Sequence, residues 1–414
     1  MKKSKLVMVG NGMAGVRTIE ELLKVAPDLY DITVFGAEPH PNYNRILLSP
    51  VLAGEQTLDE IVLNPWEWYS DNHITLHAGK VATEVDRVNR VVRAVAPDGS
   101  VVEAAYDRLL VCTGSNPFIL PIPGNTLKGV IAYRDIANTN EMIATATQFK
   151  NAVVIGGGLL GLEAANGLMQ RGMAVTVVHV NEWLMERQLD KVASQLLQKS
   201  LENRGLRFRL GTQTQELVGG EDGRVAAIHF KDGSKLATDL VVMAVGIRPN
   251  TTLAASMRLH IDRGIVVNDT MQTVTDGRIY AVGECAAHRG IAYGLVAPLF
   301  EQAKVAANHL AEFGIGRYKG SLTSTKLKVT GIDLFSAGNF TGGEGTEEIV
   351  LSDPFGGVYK KLVLKDDKLI GACLYGDTVD GSYYLQLLRD GRSISDVRDQ
   401  LVFGQPQPQH ALPA

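Results

Sequence analysis

Three glycines at positions 156, 158 and 161 stand at G-x-G-x-x-G spacing between an apolar run of strand type and an alanine-rich run of helical type. Residue types in that order can do one piece of chemistry well. The first glycine permits a tight turn, the second lets a pyrophosphate approach the backbone, and the third lets helix and strand pack closely, while unpaired N–H groups at the helix start face the phosphates. A second copy opens the chain: Leu6, Val7, Met8 and Val9 lead into Gly10, Gly12 and Gly15, about 146 residues before the first-named motif. One copy is a weak signal, since glycine turns between strand and helix are common. Two copies in the right context predict two bound dinucleotides.

The elements that must position these glycines recur in the same order twice. After the first motif come a helix to Val25, a strand at 32–35 ending at Glu38, an alternating segment at 74–96 that reads as a hairpin or meander, and a buried strand at 109–112 closing on Thr113 and Gly114. After the second come a strand at 173–180, an amphipathic helix at 190–204, an alternating segment at 208–230, and a strand at 240–245 closing on Gly246. Pro117, Pro121, Pro123 and Gly124 read as the linker between the two copies, and 136–149 as a helix leading into the second. A short strand and acidic turn at 279–285, a helix at 298–313, strands beyond 314, a helix at 382–389 and a Pro/Gln-rich tail at 405–414 complete the chain, the tail expected to be disordered.

Glu38 lies 28 residues after Gly10, somewhat beyond the ~20 usual for an acid that holds an adenosine ribose. It reads either as that ligand after a longer first helix or as a solvated turn carboxylate. Arg45, in an irregular segment after the second strand, could meet a pyrophosphate bidentately or simply be a surface residue. In the second copy the corresponding strand ends Val178-His179-Val180-Asn181-Glu182, without an adjacent arginine for a 2′-phosphate and with a carboxylate close by, which favours NADH over NADPH, although His179 stands where an acid would be diagnostic and could itself approach a phosphate.

With 414 residues the chain is expected to hold two or three domains. A net charge of −4 without a long basic run argues against nucleic acid or an anionic membrane as partner. The basic N-terminus is followed by four apolar residues only, a strand and not a signal sequence, and nothing approaches the ~20 apolar residues of a membrane span. Three distant cysteines, Cys112, Cys285 and Cys373, read as apolar fillers in a reducing, cytoplasmic setting. No cysteine or histidine spacing predicts a metal site.

On the two glycine motifs, the turn at 246–250 and the stretch at 279–284, the sequence resembles the two-dinucleotide flavoprotein superfamily typified by glutathione reductase, and within it the NADH-dependent ferredoxin and rubredoxin reductases. The stretches at 42–50, 185–190 and 326–336 look like the flavin-binding front part of the assimilatory NAD(P)H-nitrite reductases and of related nitrate reductase flavoprotein subunits. That resemblance implies an α/β fold of two Rossmann-like domains plus a small α+β C-terminal domain. It divides the chain into a flavin domain at 1–118 and 242–316, an inserted nicotinamide domain at 119–241, an interface domain at 317–404 and a tail at 405–414. FAD is implied on the first motif and NADH on the second, NADPH being the less favoured. Carried over, Gly10, Gly12, Met13, Ala14, Gly15, Glu38, Arg45, Ser49, Val81, Thr113, Gly114, Gly283, Glu284 and Pro298 would serve the flavin. Arg134, Gly156, Gly158, Leu159, Leu160, Gly161 and Gly246 fall to cofactor binding as well, and Glu163 would sit near the reacting rings.

The implied activity takes hydride from NADH onto FAD and passes electrons to an iron–sulfur partner protein or downstream domain in nitrite or nitrate assimilation. A general rubredoxin or ferredoxin reductase is the alternative, and a non-catalytic dinucleotide sensor the third reading. An oligomer is compatible with all three. The pattern departs from the superfamily in lacking a Cys-x4-Cys pair after the first motif, which argues against disulfide exchange, and in carrying Pro50 where ferredoxin reductases often have lysine. Cysteine-rich cluster and sirohaem regions are also missing, so a stand-alone flavoprotein subunit or an excised front half is expected.

Overall fold

A computed structural model describes residues 3–329 and 331–405; of 327–329 only the backbone is described. The chain falls into two compact units: the described residues of Met1–Val51, Glu55–Pro117 and Ile247–Ser321 form one, and those of Leu52–Gly54, Phe118–Gly246 and Leu322–Ala414 the other.

In the first unit five parallel strands run in the order Ile279–Ala281, Arg108–Val111, Ser4–Val9, Tyr30–Gly36, Ile74–Ala78. The strands read as near-continuous apolar runs because helices cover a parallel sheet on its faces. Leu6, Met8, Leu109, Leu110 and Val111 are buried in one core cluster with residues of helices Met13–Val25 and Val296–Leu310, each such side chain stabilising by about 1.5–3 kcal/mol. An antiparallel meander, Val81–Asp86, Val91–Val95 and Val101–Ala105, follows the sheet's last strand.

The second unit repeats the plan. Its parallel order is Val130–Ala132, Leu240–Met243, Asn151–Ile155, Ala174–Val178, Arg207–Arg209, and its meander is Thr214–Gly219, Val225–Phe230 and Lys235–Ala237. The edge strand next to the closing strand is recruited differently: from after the repeat in the first unit (Ile279–Ala281), from before it in the second (Val130–Ala132). Helix Leu159–Gln170 follows the glycines, and helix Lys191–Glu202 starts at Asp190, whose carboxylate accepts from Ala193 N–H at 2.9 Å. The unit also holds an antiparallel five-stranded sheet in the order Ser324–Val329, Ile332–Gly338, Lys368–Tyr375, Val358–Lys365, Glu347–Asp353, backed by helix Gly381–Asp390.

One expectation needs correction. The alternating segments at 74–96 and 208–230 are not wholly meander: in each, the first strand, Ile74–Ala78 or Arg207–Arg209, joins the parallel sheet, and only the later strands pair antiparallel. Ile74–Ala78 is the edge strand of that sheet, with Ile74 buried, Thr75 exposed and the other three residues half-buried. In the Pro-rich linker Leu120 and Ile122 pack on the second unit's core, and Gly124 lies so close to the meander that a Cβ there would stand 2.1 Å from the Leu217 carbonyl oxygen. Of the expected disordered tail at 405–414, all but Gln405 lies outside the described residues.

Candidate functional site

Each unit builds a glycine cradle at the carboxyl end of its central strand, the end at which open α/β sheets bind ligands. In the first, Gly10 has φ +104°, and a Cβ there would stand 2.1 Å from the Cys112 carbonyl oxygen. Gly15 abuts the Gly10 carbonyl, with a Cβ at 2.9 Å. Between them Gly12 faces open space, with nothing within 4 Å of its would-be Cβ. In the second cradle Gly156 has φ +124° and a Cβ 2.2 Å from the Ala244 carbonyl, Gly161 would press on the Gly156 carbonyl at 2.0 Å, and Gly158 again faces open space. The outer glycines are therefore demanded by the fold. The middle ones are not, and what they keep clear is room for a ligand.

The helices that leave the cradles fit the same ligand. Gly12 and Gly158 are the N-caps of Met13–Val25 and Leu159–Gln170; neither helix has a capping side chain or an acid in its first turn. By contrast Asp135 and Asp190 cap the helices they precede, through 2.8 Å and 2.9 Å bonds. The first-turn N–H groups, on Met13, Ala14 and Gly15 and on Leu159, Leu160 and Gly161, are thus left with the positive end of the helix dipole for an anion.

Around the first cradle the structure gathers most of the residues singled out from sequence. The Glu38 carboxylate accepts from the Tyr43 hydroxyl at 2.7 Å and pairs with the Arg45 guanidinium, which also lies over the Tyr43 ring. Gly79 N–H donates to the Glu38 carbonyl at 3.0 Å, which brings Val81 to the same end of the sheet. The Thr113 hydroxyl donates to the Asn250 carbonyl at 2.7 Å, and Asn250 N–H returns to the Gly114 carbonyl at 2.8 Å. Gly283, at φ +98°, would bring a Cβ 3.1 Å from Ala14 on the cradle helix; the Glu284 carboxylate accepts from the Ser115 hydroxyl at 2.6 Å. Ser49 sits in helix Leu48–Ala53, and buried Pro298 in the first turn of Val296–Leu310.

Around the second cradle, Glu163 is half-buried on the helix Leu159–Gln170, and Arg134 follows the edge strand Val130–Ala132, its N–H bound to the Asn138 side chain at 2.9 Å. Gly246 has φ +111°. Residues that sequence reasoning did not single out join the first cradle. Gln302 accepts from Gly283 N–H at 3.0 Å, and Ser115 and Tyr43 hold the two carboxylates. These partners are 18 or more residues from what they hold, except Tyr43, and no periodicity marks them. The thiols of Cys112 and Cys285 are both pushed up by burial.

A family profile described as pyridine nucleotide-disulphide oxidoreductase matches residues 4–309, spanning both cradles. The chain belongs to that family. Within it, residues 324–392 match the rubredoxin NAD+ reductase C-terminal domain. The pyridine nucleotide-disulphide oxidoreductase chain is 52% identical to the nitrite reductase [NAD(P)H] of Bacillus subtilis over 99% of its own length and 50% of that protein's. It is 48% identical to the assimilatory nitrate reductase electron transfer subunit of the same organism, over 97% and 51%. It thus spans about half the length of the curated relatives it matches. Among solved structures it is similar to the covalent putidaredoxin reductase–putidaredoxin complex, at TM-score 0.83 and 26% identity over 94% of each chain. As a member of this family it is an oxidoreductase with FAD and a nicotinamide dinucleotide as cofactors. The disulfide of the family's description has no counterpart among the described residues, whose three cysteines are free and buried. Nor does any cluster of three or more His, Cys, Asp or Glu among them offer a metal site, and none of their helices is long and apolar enough to cross a membrane.

Proposed function

We propose that the chain is the electron-entry module of a nitrite- or nitrate-assimilating reductase, cytoplasmic, taking hydride from NADH and delivering electrons to an iron–sulfur protein or domain. The observation that carries this reading is the pair of cradles with the same close-packed outer glycines and the same open middle glycine, in a chain half identical to a nitrite reductase. When bound, FAD accepts a two-electron hydride and releases electrons singly, the conversion a one-electron iron–sulfur acceptor requires.

The chain's own residues bind and orient. Gly12 and the N–H groups of Met13, Ala14 and Gly15 receive the flavin nucleotide's pyrophosphate, with Arg45 as a second cationic partner once it turns from Glu38; Glu38 receives the ribose. Thr113, Gly114, Gly283 and Glu284, tied together by the bonds to Asn250, Ser115 and Gln302, form the flavin side. Gly158 and the N–H groups of Leu159, Leu160 and Gly161 receive the nicotinamide dinucleotide, and Glu163 stands on the same helix. On this reading 1–118 and 242–316 are the flavin domain, 119–241 the nicotinamide domain and 317–404 an interface domain.

Anaerobic addition of NADH should bleach the bound flavin within seconds, and colour should return on adding an oxidised iron–sulfur protein. Flavin that NADH cannot bleach would instead support a dinucleotide sensor. The match of 324–392 to the rubredoxin NAD+ reductase C-terminal domain favours one second reading, a general rubredoxin reductase. Faster electron delivery to rubredoxin than to the cluster-bearing half of a nitrite reductase would decide for it.

A further inference from the structure

In the second cradle the position that normally carries the ribose-binding acid, about 20 residues after the glycines, is His179. Its imidazole is not available for that task. His179 is buried, and its Nδ1 accepts from Gly157 N–H at 3.1 Å, inside the glycine turn itself. With Nδ1 an acceptor, the neutral ring carries its proton on Nε2. That N–H points at the Glu186 carboxylate, 3.0 Å away, whose other oxygen accepts from the Asn181 side-chain amide at 2.8 Å.

Glu186 is held there by its backbone. Met185 has φ +52°, a left-handed conformation costly for a non-glycine residue. It is held by its own N–H on the Gly157 carbonyl at 3.0 Å, with Leu184, Met185 and Leu189 buried. At the far end of the loop Asp190 caps the next helix and accepts from the Tyr359 hydroxyl at 2.7 Å. A strained turn fastened to the glycine cradle thus presents a carboxylate beside the strand end. The side chain is 28% exposed, and its two named bonds leave acceptor capacity on both oxygens.

We propose that Glu186, positioned by His179 and Asn181, selects NADH over NADPH at the second cradle: its carboxylate accepts the adenosine ribose hydroxyl and repels a 2′-phosphate. This rests on the reading of that cradle as the nicotinamide dinucleotide site. The cations nearby do not offset the charge. Arg209, on the neighbouring strand, is engaged by Ser234 at 2.7 Å and lies over the Phe230 ring, and Arg187 is exposed to solvent, where its charge is screened.

The test is calorimetric binding of NAD+ and NADP+ to the FAD-loaded full chain, with flavin absorbance reporting that each variant is folded. Glu186→Gln should weaken NAD+ about tenfold and tighten NADP+ several-fold, the size of one charge-assisted hydrogen bond. His179→Gln, a change in the positioning residue, should move both in the same directions by less. Glu186→Asp keeps the charge and shortens the reach, so NAD+ should weaken while NADP+ stays excluded; this arm decides if Glu186→Gln fails to fold. Equal weakening of both nucleotides by Glu186→Gln would assign the residue a merely structural role and overturn the proposal. So would an unchanged preference, or a wild-type preference for NADP+ that Arg187→Ala removes. Gly158→Val separates the two levels: if it leaves both nucleotides bound, the assignment of the cradle fails; if it abolishes both while Glu186→Gln changes nothing, only the role of Glu186 does.

Discussion

Substituting valine for Gly12 should produce a folded protein without flavin, and the structure says why the two effects separate. Gly12 has φ −88° and ψ 177°, which any residue adopts, and nothing lies within 4 Å of its would-be Cβ. Glycine is itself only a middling N-cap, so valine costs the helix about 1 kcal/mol or less. The ligand fares differently, because the isopropyl group fills the space through which a pyrophosphate must reach the N–H groups of the helix start. Losing two charge-assisted hydrogen bonds, at about 1.5–3 kcal/mol each, weakens FAD by about 3–6 kcal/mol, a hundredfold to more than ten-thousandfold. The assay is the ratio of flavin absorbance to protein absorbance after purification, with circular dichroism as the fold check. Gly10→Ala is the contrast: at φ +104°, with a Cβ 2.1 Å from a backbone oxygen, it should compromise folding itself. A Gly12→Val protein that stays yellow, or one that unfolds as Gly10→Ala does, would refute the reasoning.

Gly158→Val should stay yellow yet be reduced slowly by NADH, since its cradle belongs to the other unit; stopped-flow bleaching checks this, and equal loss of colour in both valine variants would mean the cradles are assigned in the wrong order. Lys360, buried at 6% side-chain exposure between Asp377 at 2.7 Å and Asp380 at 3.4 Å, should on replacement by Met lower stability by about 2 kcal/mol, less than a fully buried pair because Asp377 is 39% exposed. The Lys360 ammonium holds the Asp377 carboxyl below its ordinary value, so this contribution is present above the unfolded carboxylate pKa and is lost as pH falls through the folded one. Urea titrations between about pH 3 and pH 6 should therefore show a steeper acid loss in the wild type than in Lys360→Met. Burial raises all three thiols, Cys373 to about 12, so a disulfide reagent should label the native chain slowly and the urea-unfolded chain fast. The triple Cys→Ala variant should still pass electrons from NADH to ferricyanide; its loss would give a thiol a part in the reaction.

Both cradles were legible in the sequence because their cause is local. Gly10 and Gly156 need left-handed backbone and Gly15 and Gly161 need contact with a carbonyl, demands that only glycine meets and that leave a fixed spacing. The central strands were legible for a similar reason, being buried on both faces and so continuously apolar. What escaped was non-local. Ile74–Ala78 and Arg207–Arg209 are short edge strands whose alternation matches that of the meanders after them; only their partners, Tyr30–Gly36 and Ala174–Val178, reveal that they are parallel. Glu186 escaped because the usual signal is an acid at the strand end, and His179 stands there instead.

That substitution at the strand end changes what the second cradle depends on. An acid directly on the strand would need no support beyond the sheet. A carboxylate brought in through His179 needs the Gly157 N–H to fix the ring, the left-handed Met185 to turn the chain, and Asp190 to anchor the loop's far end. Asp190 is in turn bound by Tyr359, on the strand Val358–Lys365 of the antiparallel sheet, and lies 4.0 Å from the Lys361 ammonium. The second cradle is thereby tied, through one loop of some dozen residues, to the part of the chain that matches the rubredoxin NAD+ reductase C-terminal domain. Tyr359→Phe, which removes a 2.7 Å bond to a carboxylate and little else, should loosen that loop at a cost of about 1.5–3 kcal/mol. Hydrogen exchange should rise at 182–189 and not at the first cradle. Exchange unchanged across 182–189 would show that the loop is held by its buried Leu184, Met185 and Leu189 alone.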